Sequence, residues 1–188
     1  MRRVLPILMV FVFLVAPVGT AFADSYADTV KVFKNAGESG GFFDKAYGYA
    51  IFPTVGKGGF VLGAAGGEGR AYVGGRHVGN TQMAQVTIGL QAGAQAYSLI
   101  IFFEDARAFR EFSSGSFEFG AQASAVAITA GASAQASTTG NSAGASGGRN
   151  DATTVGNYHK GMAAFTVAKG GLMYEASIGG AKFTYEPL

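Results

Sequence analysis

Val86-Thr87-Ile88-Gly89-Leu90-Gln91-Ala92-Gly93-Ala94-Gln95-Ala96 is the stretch on which the reading of the fold turns. Val86, Ile88, Leu90, Ala92, Ala94 and Ala96 share one parity, while Gln85, Thr87, Gln91 and Gln95 share the other. Side chains alternate between the two faces of a sheet, so the pattern predicts a half-buried antiparallel strand with a polar outer face. It runs into Leu99-Ile100-Ile101-Phe102-Phe103, which is apolar on both parities and is therefore expected to be buried on both sides.

Working outward toward the C-terminus, Glu104-Asp105 ends this run, and Ala106 to Phe112 reads as a short helix capped by Asp105. Alternation returns over Phe117 to Ala136. Residues 137–157 are rich in Ser, Thr, Gly and Asn and read as a flexible surface loop. Met162 to Ala168 and Leu172 to Ile178 flank Lys169-Gly170-Gly171, a hairpin pattern, and Phe183 and Tyr185 pack a last strand.

Toward the N-terminus, Tyr49 to Phe52 is a short strand closed by Pro53. Strands follow at Gly59 to Leu62 and Arg70 to Val73, and Gly74-Gly75 is a two-residue turn before Arg76-His77-Val78. Asp24 to Ala36 reads as an amphipathic helix, with Tyr26, Val30 and Phe33 on one face, Asp24 and Ser25 as caps and Gly37 as its stop. A second helical turn covers Phe42 to Tyr47. The expected fold is α+β and mainly β. It is a glycine-rich antiparallel sheet, sandwich or barrel-like, with an N-terminal amphipathic helix and a short mid-chain helix.

The first 23 residues have the three-part pattern of a cleavable signal peptide. Arg2 and Arg3 are the positive start, Val4 to Val15 the apolar run, and Ala21-Phe22-Ala23 the small-residue cleavage site. A spanning helix needs about 20 apolar residues, more than this run supplies. The expectation is export, with residues 24–188 forming a single domain in the periplasm or at an envelope membrane. Without Arg2 and Arg3 the 14 basic residues fall to 12, equal to the 12 acidic ones. That balance argues against nucleic acid as a partner. The chain has no cysteine, which excludes disulfides, thiolate metal sites and thiol catalysis.

All of the 30 glycines except Gly19 lie in residues 24–188, spread along apolar segments rather than in a linker. Glycine in strands permits close approach of other groups, and the phenylalanines supply the missing volume.

No catalytic set emerges. Gly56-Lys57-Gly58-Gly59 precedes strand-like residues, whereas phosphate-binding glycine loops open onto a helix. His77 and His159 have no neighbours at metal-ligand spacing and read as turn residues. Glu104-Asp105 reads as a strand end feeding a helix cap, and no Gly-x-Ser-x-Gly elbow is present. The expectation is a protein that is not an enzyme, with no cofactor and no metal. The segment Asp24 to Ala36 fits two roles: packing Tyr26, Val30 and Phe33 on its own domain, or lying in a membrane interface.

Several segments together resemble the SYLF lipid-binding domain family. They are Ala46 to Pro53, Val55 to Phe60, Ile88 to Ala96, Phe102 to Asp105, Phe117 to Gly120 and Gly170 to Glu175, in order along nearly the whole of residues 24–188. The resemblance implies a non-enzymatic domain that binds phospholipid membranes, with an amphipathic helix at its N-terminus contributing to contact. Eukaryotic members bind phosphoinositides and some bind actin, but an exported chain meets neither, so actin binding is not expected here. On this reading Tyr26, Val30 and Phe33 enter the acyl boundary while Lys31 and Lys34 meet phosphates. Lys57, Arg70 and Arg76, flanked by or near glycines, are further headgroup contacts. The competing reading is a structural or protein-interaction domain of the periplasm without lipid affinity, whose partner the sequence does not identify.

Overall fold

A computed structural model describes residues 19–59, 62–88, 93–120, 125–128, 158–170 and 178–188. The chain opens with α1 (Gly19–Asn35) and the single turn α2 (Gly37–Gly40). Four long strands follow: β1 (Gly48–Gly59), β2 (Leu62–Val73), β3 (Arg76–Ile88) and β4 (Gly93–Phe103). After α3 (Ala106–Phe112) come β5 (Phe117–Glu118), β6 (Val126–Ile128), β7 (Met162–Gly170) and β8 (Lys182–Pro187). They form one curled sheet in the order β5-β8-β3-β2-β1-β4-β7-β6, antiparallel throughout except for the short parallel pair β6 and β7. The mainly β class with helices near the N-terminus and mid-chain is as the sequence predicts.

Turn chemistry sets the start of the β2–β3 pairing, which shifts register between Ala71 and Tyr72. Gly74 and Gly75 have φ of 56° and 76°, the left-handed pair that a two-residue hairpin matched to strand twist requires. Pro53 does not close β1 as expected; the strand runs on to Gly59. Proline lacks the N–H a central strand needs, and the chain accommodates it at an irregularity. The register of β1 shifts there against both neighbours, between Ile51 and Thr54 on one side and Phe52 and Val55 on the other. The Ser98 hydroxyl donates to the Pro53 carbonyl at 2.7 Å and ties the irregularity to β4.

Leu99 to Phe103 are all fully buried, as their two-sided apolarity demands. The sheet therefore carries a core on each face. Phe52, Val55, Leu99, Ile101 and Phe103 point to one face, closed by Ala108 and Phe112 of α3 and by Ile178 and Phe183. Ile51, Ile100, Phe102 and Phe165 point to the other, where Phe33 of α1 joins them. The Asp105 carboxylate caps α3 as expected, accepting from the Ala108 N–H at 2.8 Å.

The opening alternation is corrected in two ways. Residues 86–96 are not one strand: Val86 to Ile88 end β3 and Gly93 to Ala96 begin β4. Within β3 the faces are the reverse of the expectation, with Gln85 2% exposed and Val86 72% exposed. Gln85 is in phase with buried Met83 and Thr81, so the strand's pleat carries it inward. Its side-chain amide donates to the Gly179 carbonyl at 2.9 Å, which offsets the desolvation of a buried amide. Ala94 is likewise exposed rather than buried. The caps of α1 are also corrected. The helix begins at Gly19, so Asp24 and Ser25 lie inside it, and α2 follows at Gly37 where a simple stop was expected. Residues 1–18 of the expected signal peptide (1–23), the loop 137–157 and the turn beyond Gly170 lie outside the described residues.

Candidate functional site

The site builds up from α1, whose apolar residues recur at four-then-three spacing and so fall on one face. That face is docked on the sheet. Phe33 is fully buried in the cluster that contains Ile51, Ile100, Phe102 and Phe165, with Val30 and Tyr26 packed half-buried against it. The Tyr26 ring lies against the Arg70 guanidinium of β2, 4.2 Å from its carbon to the ring centroid. Burial raises the Tyr26 phenol above its usual range; Arg70 opposes that rise, and Glu68 and Tyr72 add to it.

The C-terminal end of α1 is fastened differently. The buried Ser39 hydroxyl donates to the Phe33 carbonyl at 2.7 Å. Gly40 sits so close to the helix that a Cβ there would lie 2.6 Å from the Lys34 carbonyl oxygen. Beyond Gly41, Phe42 and Phe43 pack edge-on against the sheet, with ring centroids 5.0 Å (Phe42 to Phe165) and 4.9 Å (Phe43 to Phe102) apart. Lys34 stands 5.3 Å above the Phe43 ring.

The other face of α1 is open. Lys31, Val32 and Lys34 are exposed, Val32 at 44%. Lys31 pairs with Asp28 at 3.1 Å across one turn, with both side chains well exposed. Such surface pairs contribute about 0–1 kcal/mol and exchange readily for another anion. A surface carrying Lys31, Lys34 and Asp28 beside Val32 thus faces outward over a helix whose aromatic side faces in.

Of the expected contact residues, the structure gathers Tyr26, Val30, Lys31, Phe33, Lys34 and Arg70 around α1. Lys57 is separate: it is in phase with Val55, on the sheet face opposite α1. Arg76 is exposed just beyond the Gly74-Gly75 turn. The sequence reading missed Phe42 and Phe43 as the wedge behind α1; two adjacent aromatics ahead of a strand were the available signal. It also missed the Tyr49–Tyr72 stack, 5.0 Å between centroids at 17°, in which burial and then Tyr72 push the Tyr49 phenol up to about 12. Leu62 and Val86, 65% and 72% exposed, are a further apolar surface on neighbouring strands beyond the reach of α1.

The groups weighed for catalysis are occupied otherwise or stand apart. Asp105 is spent on the α3 cap, and Glu104 and His159 are exposed. His77 lies against Tyr72 with its Nε2 3.0 Å from the Gly79 carbonyl oxygen. Among the described residues no three His, Asp or Glu side chains cluster to hold a metal ion, and no helix is long and apolar enough to cross a membrane.

Two comparisons with known proteins bear on this arrangement. The family profile Ysc84, described as "Las17-binding protein actin regulator", matches residues 84–186, from the end of β3 to the C-terminal strand. Beta cell expansion factor A of Aeromonas veronii is 29% identical over 165 residues, which is 85% of this chain and 54% of the relative. The chain thus spans about half the length of that curated protein. With a profile match over more than half its length, the chain belongs to the Ysc84 (SYLF) family, whose members are binding domains rather than enzymes.

Proposed function

We propose that this protein is a phospholipid-binding module of the cell envelope, exported by cleavage after Ala23 and acting at a membrane surface without catalysis. The observation that carries the reading is α1. It is an amphipathic helix on the outside of a domain from a binding family, with Lys31 and Lys34 exposed and Tyr26, Val30 and Phe33 as its apolar side. Exposed lysines could meet lipid phosphates from the docked helix, and its apolar face, covered by the sheet in this structure, could reach acyl chains on release. Actin, a partner named for the matched family, is not carried over to an exported chain.

The test is co-sedimentation with phosphatidylglycerol–phosphatidylethanolamine vesicles, comparing the wild type with a Lys31→Glu, Lys34→Glu double variant. Both side chains are exposed, so the fold is expected to be retained. Each cation near an anionic surface contributes about 1 kcal/mol. Reversing two of them is expected to weaken binding at least about tenfold at low salt. Equal binding of the two proteins would remove α1 from the contact.

A second reading, a protein-docking domain without lipid affinity, is favoured by one observation: Leu62 and Val86, diagonal neighbours on β2 and β3, are both largely exposed. It predicts indifference to vesicles together with loss of a specific partner on Val86→Glu.

A further inference from the structure

The two ends of α1 are held to the sheet by unlike means, and the same residues are the ones an interface would take. At the C-terminal end Phe33 is fully buried, Ser39 clasps its carbonyl at 2.7 Å, and Gly40 abuts the Lys34 carbonyl. Toward the N-terminal side the Tyr26 ring meets Arg70 in a cation–π contact at 4.2 Å, with half-buried Val30 and buried Thr29 between, the Thr29 hydroxyl being spent within the helix on the Ser25 carbonyl. Immediately after the helix, Ala36 is extended (φ −80°, ψ 123°), a break in the helical path between α1 and α2.

We propose that Arg70 is a latch: it holds the aromatic face of α1 on the sheet, and lipid engagement requires Tyr26 to leave it, so that α1 pivots outward about its fastened C-terminal end. This rests on the phospholipid-binding reading and deepens it by naming the internal competitor of the membrane. The sheet and the bilayer compete for the same apolar surface of Tyr26 and Val30, and a ligand shifts a two-state equilibrium only by its preference for one state. It also reverses the role the sequence assigns to Arg70. As a headgroup contact Arg70 would strengthen lipid binding; as a latch it opposes binding, because its guanidinium is already committed to the Tyr26 ring.

The two roles predict opposite signs for one substitution. Arg70→Gln removes the cation, and Tyr26→Leu removes the ring while keeping an apolar side chain for insertion. Binding is measured by titrating phosphatidylglycerol–phosphatidylethanolamine vesicles into wild type and both variants, with hydrogen exchange of residues 25–35 followed in the absence of lipid. Loss of a partly exposed cation–π contact predicts roughly three- to tenfold faster exchange in that segment and tighter vesicle binding by a similar factor, for both variants. Equal or weaker vesicle binding by variants whose exchange is faster would overturn the latch while leaving lipid binding intact. Unchanged exchange in both variants would overturn it as well, by showing that Arg70 does not hold the helix. If neither the wild type nor the variants bind vesicles, the phospholipid reading itself fails and the latch with it.

Discussion

At Gly69 a Cβ would meet the Phe52 ring at 2.6 Å and the Ile51 carbonyl oxygen at 2.8 Å. Phe52 is fully buried, and the carbonyl belongs to the neighbouring strand, so neither yields easily. At Gly56, on the next strand, the same Cβ would meet nothing within 4 Å. Gly69→Ala is expected to destabilise the fold by about 1–3 kcal/mol through overpacking. Gly56→Ala is expected to be neutral or stabilising by up to about 1 kcal/mol, since it only restricts the unfolded chain. Urea unfolding of the two variants beside wild type checks the pair, and equal stability would contradict the packing role of Gly69. That glycine makes room for phenylalanine was legible from composition; which glycine meets which ring was not, because that depends on strand register. Gln85 and Val86 show the limit most clearly. Hydrophobic parity assigned them to the wrong faces, because one sheet face at that end is uncovered and the phase is set by Thr81, Met83 and the Gly179 carbonyl.

Among the elements, α1 decides how the molecule is read. Its amphipathic spacing was visible from Tyr26, Val30 and Phe33, but spacing describes a face and not what covers it. The cover comes from Ile51, Ile100, Phe102 and Phe165, on three strands far apart in sequence. Ser39 is where the helix is fastened. Ser39→Ala removes a buried hydrogen bond to the Phe33 carbonyl and is expected to cost about 1–2 kcal/mol. It is also expected to speed amide exchange across residues 25–35 more than in β1 and β4. Uniform acceleration over the whole sheet would instead show that α1 and the sheet open as one unit. The β1 strand carries a similar lesson. Proline was read as a terminator, and the fold passes through it by shifting register against both neighbours and bonding its carbonyl to Ser98.

For the molecule as a whole, the short outer strands β5 and β6 close a sheet whose long central strands lie between two cores. This architecture was legible because Leu99 to Phe103 are apolar on both parities and Gly74-Gly75 marks a hairpin. The family adds a binding role, and the proposed export places that role at an envelope surface with α1 close to the new N-terminus. On the proposed lipid-binding reading, Lys31 and Lys34 would meet the headgroups first, and the aromatic side of α1 would follow once it leaves Arg70. The central claim is that the domain binds phospholipid, and flotation of the purified wild-type protein with phosphatidylglycerol–phosphatidylethanolamine vesicles tests it most directly. The account predicts that the protein rises with the vesicles at low salt and progressively less as salt screens the lysines. Protein that stays at the bottom of the gradient at every vesicle composition and salt concentration would contradict it.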